Sequence, residues 1–261
     1  MLSRDEKTDL VERSLRDPIL RDPHALRVVS EGWAQTIAPD LRLDYANRVL
    51  FSVLDPADAD ERIASTIAAY RERGLPFQWV VSPSTRPLDL EQRLSAAGFV
   101  LAGVAAGMIG DTVTMHVEGR LGVEVEAVDA RNVDDWVHVQ AEGWNAPPEV
   151  ARQMGLAARR RVEACDSRLV DLVFRVNDVP IASSSFDVYQ GVAHYLNAVV
   201  LPQHRGAGIF RQMIAARGEM MAARGIRYAS IHALRHSSAP ILQHLGFEEA
   251  CELRFYRYSR E

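Results

Sequence analysis

The sequence predicts a mixed α/β protein, of the α+β kind, laid out as two pseudo-repeated halves. Three observations lead there. Strand-like and helix-like stretches alternate along the chain. Three landmarks of the second half recur in the same order in the first. The composition, 48% hydrophobic and 25% charged, is that of a globular chain and excludes disorder, collagen and coiled coil as whole-chain readings.

Pro18 and Pro23 are the first turn signals, and residues 25–34 read as a helix ending near Pro39. Residues 49–54 form an apolar run expected to be a buried strand, closed by Pro56. Asp58 or Asp60 can cap a helix running to Arg73, with Gly74 just past its end. Residues 77–81 read as a strand, 88–97 as a helix stopped by Gly98, and 99–108 and 112–117 as strands. Gly119-Arg120-Leu121-Gly122 reads as a joint, dividing the chain into domains 1–118 and 119–261. Beyond it, residues 123–127 alternate apolar and acidic, as a half-exposed strand does. Helices are expected over 132–142 and 148–163, then strands over 169–176, 180–189 and 192–201, with Asn177-Asp178 and Gln190-Gly191 as hairpin turns. A helix over 209–223, a strand over 228–234, a helix over 239–245 and a strand over 251–258 complete the order.

The recurring landmarks are Leu54-Asp55-Pro56 with Val200-Leu201-Pro202, Arg73-Gly74-Leu75 with Arg224-Gly225-Ile226, and Leu94 to Phe99 with Leu242 to Phe247. The first half therefore reads as a shortened, diverged copy of the second. Glu31-Gly32-Trp33 and Glu142-Gly143-Trp144 repeat as well, but at an offset that does not fit, and we read that pair as coincidence.

Charge and cysteine content narrow the function classes. A net charge of −5 and a pI near 5.9 argue against nucleic-acid binding. One lysine stands against 29 arginines, and the arginines are scattered, which reads as genomic base composition and not as a binding surface. Two cysteines, Cys165 and Cys251, make neither a disulfide framework nor a four-cysteine zinc site, and Cys165 has Asp166 and no base beside it. No metal is expected. The first residues are charged throughout and lack the apolar segment of a signal peptide, and no apolar run approaches a membrane span, so the expectation is a soluble cytoplasmic protein with no membrane partner. Monomer and homodimer both stay open.

The stretch from Leu196 to Phe210 is the most informative. A strand ends in Val200-Leu201-Pro202, and a loop, Gln203-His204-Arg205-Gly206-Ala207-Gly208, leads into a helix at Ile209 and Phe210. The first amides of a helix have no internal partner and sit at the positive end of its dipole. Two glycines let the backbone curl so that such amides converge on one anion, a phosphate or pyrophosphate. A P-loop would need Gly-Lys-Ser/Thr, and a dinucleotide fingerprint a third glycine where Arg211 stands.

This segment resembles the acyl-CoA loop of the GCN5-related N-acetyltransferases, whose signature is Gln/Arg-x-x-Gly-x-Gly/Ala after Val-x-Pro. Leu245-Gly246-Phe247 matches the family's later signature, and the resemblance runs from Val123 to Tyr258. It implies a central, mixed but mostly antiparallel twisted sheet flanked by helices, and acetyl transfer from acetyl-CoA directly to a primary amine of a small molecule. It further implies that the backbone of Ala198 and Val200 pairs with the pantetheine arm, that the thioester carbonyl lies near Val199–Val200, and that the amides from His204 through Ile209 hold the pyrophosphate, with Arg205 adding charge. Aligned on the proline, the first half has Ala57-Asp58-Ala59-Asp60-Glu61-Arg62 instead: no glycine and three carboxylates. That half is expected to bind no CoA.

Amine acetylation needs a base, and His194, Tyr195, Asn197 and Asp187 are the candidates on the central strands. His194 has the suitable intrinsic pKa, and Asn197 can position water or substrate. Strict alternation puts His194 on one face with Ala198 and Val200, and Tyr195 and Asn197 on the other. Glu142 and Trp144, between the first two helices of the second half, suit an ammonium group by charge and cation–π attraction. Against the family pattern, Leu242 stands where a tyrosine acid is common and Arg235 where an asparagine is, leaving Tyr256 or Tyr258 as possible substitutes. Ser237 and Ser238 read as helix caps. The missing tyrosine at position 242 favours one other reading, a CoA-binding regulatory protein of weak activity; a transferase of longer acyl groups is a separate alternative.

Overall fold

The structure, a computed structural model, describes residues 2–115, 122–165 and 168–259. Most of the expected joint at Gly119 to Gly122, and Asp166, lie outside the described residues. In chain order the elements are α1 (Arg4–Arg16), β1 (Leu26–Ser30), β2 (Trp33–Ile37), β3 (Arg48–Ser52), α2 (Ala59–Glu72), β4 (Gln78–Val81), α3 (Leu90–Ala96), β5 (Phe99–Asp111) and β6 (Glu124–Ala127). Then come α4 (Val133–Gly143), α5 (Pro148–Glu163), β7 (Leu169–Val176), β8 (Val179–Tyr189), β9 (Val192–Val200), α6 (Ile209–Ala223), β10 (Tyr228–Leu234), α7 (Ser238–His244) and β11 (Glu248–Tyr258).

These pack into two compact units, Met1–Gly107 with Ala250–Glu261, and Met108–Glu249. The last strand thus belongs to the first unit. Its Arg254–Arg257 run antiparallel to Gln78–Val81 of β4, a non-local pairing that no spacing in the sequence announces.

In the first unit the strand order is β1-β2-β3-β4-β11-β5, with β1–β2, β2–β3 and β4–β11 antiparallel and β3 parallel to β4. The helix expected over residues 25–34 is instead the β1–β2 hairpin. Val28 and Val29 favour strand, and Gly32 at φ +71° closes the turn. Helix α1 is an addition to the expected elements. Ser3 and Glu6 form a reciprocal capping box at its start, and Val11 and Leu15 bury its apolar side. The core centres on Tyr70 stacked on Phe77 at 4.1 Å and on Trp79 edge-on to Trp33 at 5.5 Å. Asn47, fully buried, holds the loop between β2 and β3: its Oδ1 accepts from the Ala38 amide at 2.8 Å, and its Nδ2 donates to the Leu41 and Leu43 carbonyls at 2.7 and 3.0 Å.

In the second unit the order is β5-β10-β9-β8-β7-β6, where β5 enters through its last residues. Strands β6 to β9 are antiparallel and β9 runs parallel to β10. Asn177 and Asp178, and Gln190 and Gly191, all adopt positive φ, the two-residue hairpin geometry their sequence suggests. Helices α4 and α5 cover one face through Val133, Trp136 and Ala158 against Val173. Helix α6 covers the other, where Arg217 lies 4.3 Å over the Tyr195 ring and Arg224 over Phe186. The halves also end their helices alike: Leu75 donates to Tyr70 and Ile226 to Met221, in matching turns. Glu31-Gly32-Trp33 forms a hairpin turn whereas Glu142-Gly143-Trp144 ends a helix, so that repeat is coincidental.

Replacing Asn47 by Ala strands three buried backbone partners, and should lower stability by about 3 kcal/mol in a urea titration. An unchanged midpoint would show that the loop holds itself.

Candidate active site

The site is built on β9. Val192–Tyr195 pair with Tyr228–Ile231 of β10, and there the pairing stops. Residues 196–200 keep only β8 as a strand partner among the described residues. The Leu201 amide donates to Ile181 of β8, so by strand alternation the backbone groups of Ala198 and Val200 face the open flank.

Where the strands part, β9 carries a bulge. Ser185 lies opposite Leu196 and Ser183 opposite Val199, so one β8 residue faces two on β9, and Asn197 adopts φ +54°. The bulge overturns the expected alternation. His194 lies opposite Asp187, Val199 opposite Ser183, and Asn197 reaches Ser185 Oγ with its Nδ2 at 3.1 Å. All three therefore share the face covered by α4 and α5, while Tyr195 alone points to α6. Burial pushes the Tyr195 phenol up and Arg217 down to about 10, so both keep their ordinary charge at neutral pH.

A buried polar network fixes the bulge. Arg161 of α5 donates Nε and Nη2 to Asp171 Oδ2 at 3.1 and 2.6 Å. Asp171 Oδ1 accepts from Ser185 Oγ, which accepts from Asn197. From α4, Gln140 Nε2 donates to the Asn197 carbonyl at 2.6 Å and to Ser183 Oγ at 2.9 Å, and its Oε1 accepts from Trp144 Nε1 at 3.1 Å. The Trp144 ring is 52% exposed, so it stands at the surface and not in the core. Glu142, two residues before it, lies 3.3 Å from His138 and 3.4 Å from Gln203 Nε2.

After Pro202 the loop makes one 3₁₀ turn. It consumes two of the six expected amides: His204 donates to Leu201 and Arg205 to Pro202. Gly206 and Gly208, at φ +79° and +78°, then turn the chain into α6. Among the described residues, the amides of Gly206, Ala207, Gly208, Ile209 and Phe210 have no protein acceptor. A Cβ built on Gly206 meets nothing within 4 Å, so the space beside it is open. Five donors without a protein acceptor at a helix N-terminus suit an anion such as a diphosphate. Arg205 does not face them. Its Nε donates to the Val200 carbonyl at 2.9 Å and its Nη2 to the Gly143 carbonyl at 2.8 Å, tying the strand end to the end of α4.

Other expected groups are placed elsewhere. Tyr256 donates to Glu91, and Tyr258 packs on Phe77 and Phe99, all within the first unit. Leu242 is fully buried. Ser238 Oγ accepts from the Leu234 amide, before α7 begins, and Ser237 makes no side-chain cap. Gln140, Asp171, Ser183, Ser185 and His232 were invisible as site residues in the sequence, because what gathers them is cross-strand register.

The corresponding place in the first unit is filled by the chain itself. Past the pairing of Arg48 and Val49 with β4, the Arg86 amide donates to the Ser52 carbonyl and the Arg86 carbonyl accepts from Leu54, both at 3.1 Å. At the start of α2, Asp55 accepts the Ala57 amide through Oδ1 at 2.8 Å and the Asp58 amide through its carbonyl at 3.1 Å.

No protein-family model matches this chain, and no curated protein sequence matches it. Solved structures do. A conserved protein of unknown function from Staphylococcus epidermidis superposes with a TM-score of 0.71 at 15% identity, over 91% of this chain and 95% of that one. A GCN5-related N-acetyltransferase from Kribbella flavida gives 0.69 at 14% identity, over 97% and 95%. A tandem protein of the same fold from the clavulanic acid biosynthesis pathway gives 0.61 at 16%, over 96% and 88%. The chain has the GCN5-related N-acetyltransferase fold, in two pseudo-repeated halves.

Truncating Asp171 to Ala leaves the Arg161 guanidinium buried without its counter-ion, and should cost about 3–5 kcal/mol in chemical denaturation. Pairing that change with Arg161→Met should recover much of the loss. Equal losses in the single and double variants would mean the ion pair does not hold the bulge.

Proposed function

We propose that this chain is an acyl-CoA-dependent N-acyltransferase, moving the acetyl group of acetyl-CoA directly to a primary amine of a small molecule in the cytoplasm. The observation that carries the reading is the run of five acceptor-free amides from Gly206 to Phe210, next to a strand edge left open by its neighbour. The amides of residues 206–210 would hold the pyrophosphate, and the open backbone of Ala198 with the Val200 amide the pantetheine arm, beside Val199. Gln203 and His204 shape the loop, and Arg205 braces it through Val200 and Gly143. When bound, acetyl-CoA supplies an acyl group activated as a thioester.

The chain's own residues do the rest. Trp144 presents an exposed ring, with Glu142 beside it, to an ammonium group of the acceptor. Asn197, held by Ser185, offers its amide toward the same face as His194. His194 takes the ammonium proton, since imidazole is the side chain that changes charge near neutral pH. Direct attack is preferred because the sequence shows no nucleophile–base pair, and Ser230, whose hydroxyl lies 3.1 Å from His194 Nδ1, is buried. The first unit contributes no second CoA site: Arg86 occupies its strand edge, and carboxylates replace its glycines.

One observation favours a rival reading. Leu242, buried in the core where the family commonly carries a tyrosine acid, suits a CoA-binding protein of low turnover. Thiol release from acetyl-CoA with a panel of primary amines separates the two, and competition by longer acyl-CoAs settles the acyl group. Calorimetry should give one CoA per chain. Gly206→Asp, which puts charge and a Cβ into the amide cradle, should abolish that binding with the circular dichroism spectrum unchanged. Undiminished CoA affinity in this variant would remove the assignment.

A further inference from the structure

We propose that His194 and His232 act as one proton-accepting pair for the acceptor's ammonium group, His232 being the member nothing in the sequence singles out. The inference rests on the acyltransferase reading and names the base of that reaction. Ile231 is the last β10 residue paired with β9, so His232 is the first residue past the point where the strands part. Ser230 and His232, two apart on β10, share the face of His194, whose register partner is Ser230. The two imidazole centroids lie 4.6 Å apart with the rings tilted by 56°.

The surroundings orient the pair. His194 Nδ1 lies 3.1 Å from Ser230 Oγ, and Ser230 is 1% exposed, so this contact pins the ring. Asp187, 2% exposed, lies directly opposite His194 on β8, and Arg168 stands 3.8 Å from its carboxylate. From β7 and α5 the charged groups are Asp171 and Arg161, already paired with each other, and α4 presents the neutral Gln140. Both imidazoles are half-buried. The pair thus sits at the vertex of the open strands, on the face where Asn197 also points.

The step moves one proton. An N–H bond of R–NH3+ breaks with its electron pair staying on nitrogen, and the proton bonds to an imidazole nitrogen. The amine becomes a neutral nucleophile and the pair an imidazole–imidazolium, which then yields the proton to solvent. Two imidazolium charges at this separation repel, so the pair holds one proton and keeps one basic nitrogen. A histidine beside a second histidine therefore protonates less readily than it would alone.

The test combines kinetics with a measurement that needs no turnover. In His232→Gln, kcat should fall by about 10-fold or more, within the range of general-base effects. The acid limb of the kcat/KM profile should move, and calorimetric CoA affinity should stay unchanged. In NMR titrations of ring-labelled histidine, His194 should titrate at higher pH in His232→Gln than in the parent, because a like charge has been removed. An unmoved His194 titration overturns the pair, as does an unaltered rate profile. If the parent protein binds CoA but releases thiol with no amine, the acyltransferase reading fails and this inference with it, whatever the NMR gives; a parent that turns over while the variant keeps kcat and its profile defeats the pair alone.

Discussion

The left-handed backbone at Asn197 is the constraint on which the second unit's site depends. A non-glycine residue at positive φ is disfavoured by about 1–2 kcal/mol, less for asparagine, so it needs support. The support comes from both ends of the residue. Gln140 captures its carbonyl, and Ser185, anchored through Asp171 to Arg161, captures its side chain. With the bulge in place β9 can part from β10, expose one backbone edge, and turn the side chains of His194, Asn197 and Val199 to a single face. Arg205 completes the brace by joining the strand end to α4.

The two units treat the same structural opportunity in opposite ways. Each has one parallel strand pair followed by a divergence and a helix start. In the first unit Arg86 fills the gap with its own peptide groups, and Asp55 accepts the Ala57 and Asp58 amides. In the second unit the gap stays open and five amides keep their donors. Unsatisfied amides at a helix start carry a cost that an anionic ligand repays, whereas the carboxylates of Asp58, Asp60 and Glu61 at the start of α2 repel an anion. Divergence from a common pattern is visible here as a change in who supplies the acceptors.

Agreement between sequence and structure follows the range of the forces involved. Elements with strong local signals, such as α2, α5, the β7–β8–β9 hairpins and α6, form within a residue or two of their expected limits. The β1–β2 hairpin reads as a helix because its apolar residues are also spaced to suit one, and only the turn at Gly32 decides otherwise. Helix α1 is signalled by Ser3 and Glu6, a short cue hidden in a charged stretch. The Tyr256 and Tyr258 alternative fails for a different reason: the last strand pairs with β4, a partner far away in the chain.

What the sequence by itself determined is the order strand, Pro202, two glycines and helix start, a local pattern whose loss from the first half is equally local. Tertiary structure alone decided which side chains meet there. A one-residue bulge moved Asn197 across the sheet, register set Ser185 and Asp171 beneath it, and the divergence of β9 and β10 placed His232 beside His194. Strand pairing is fixed by contacts between residues distant in the chain, and a shift of one position exchanges the faces of everything that follows.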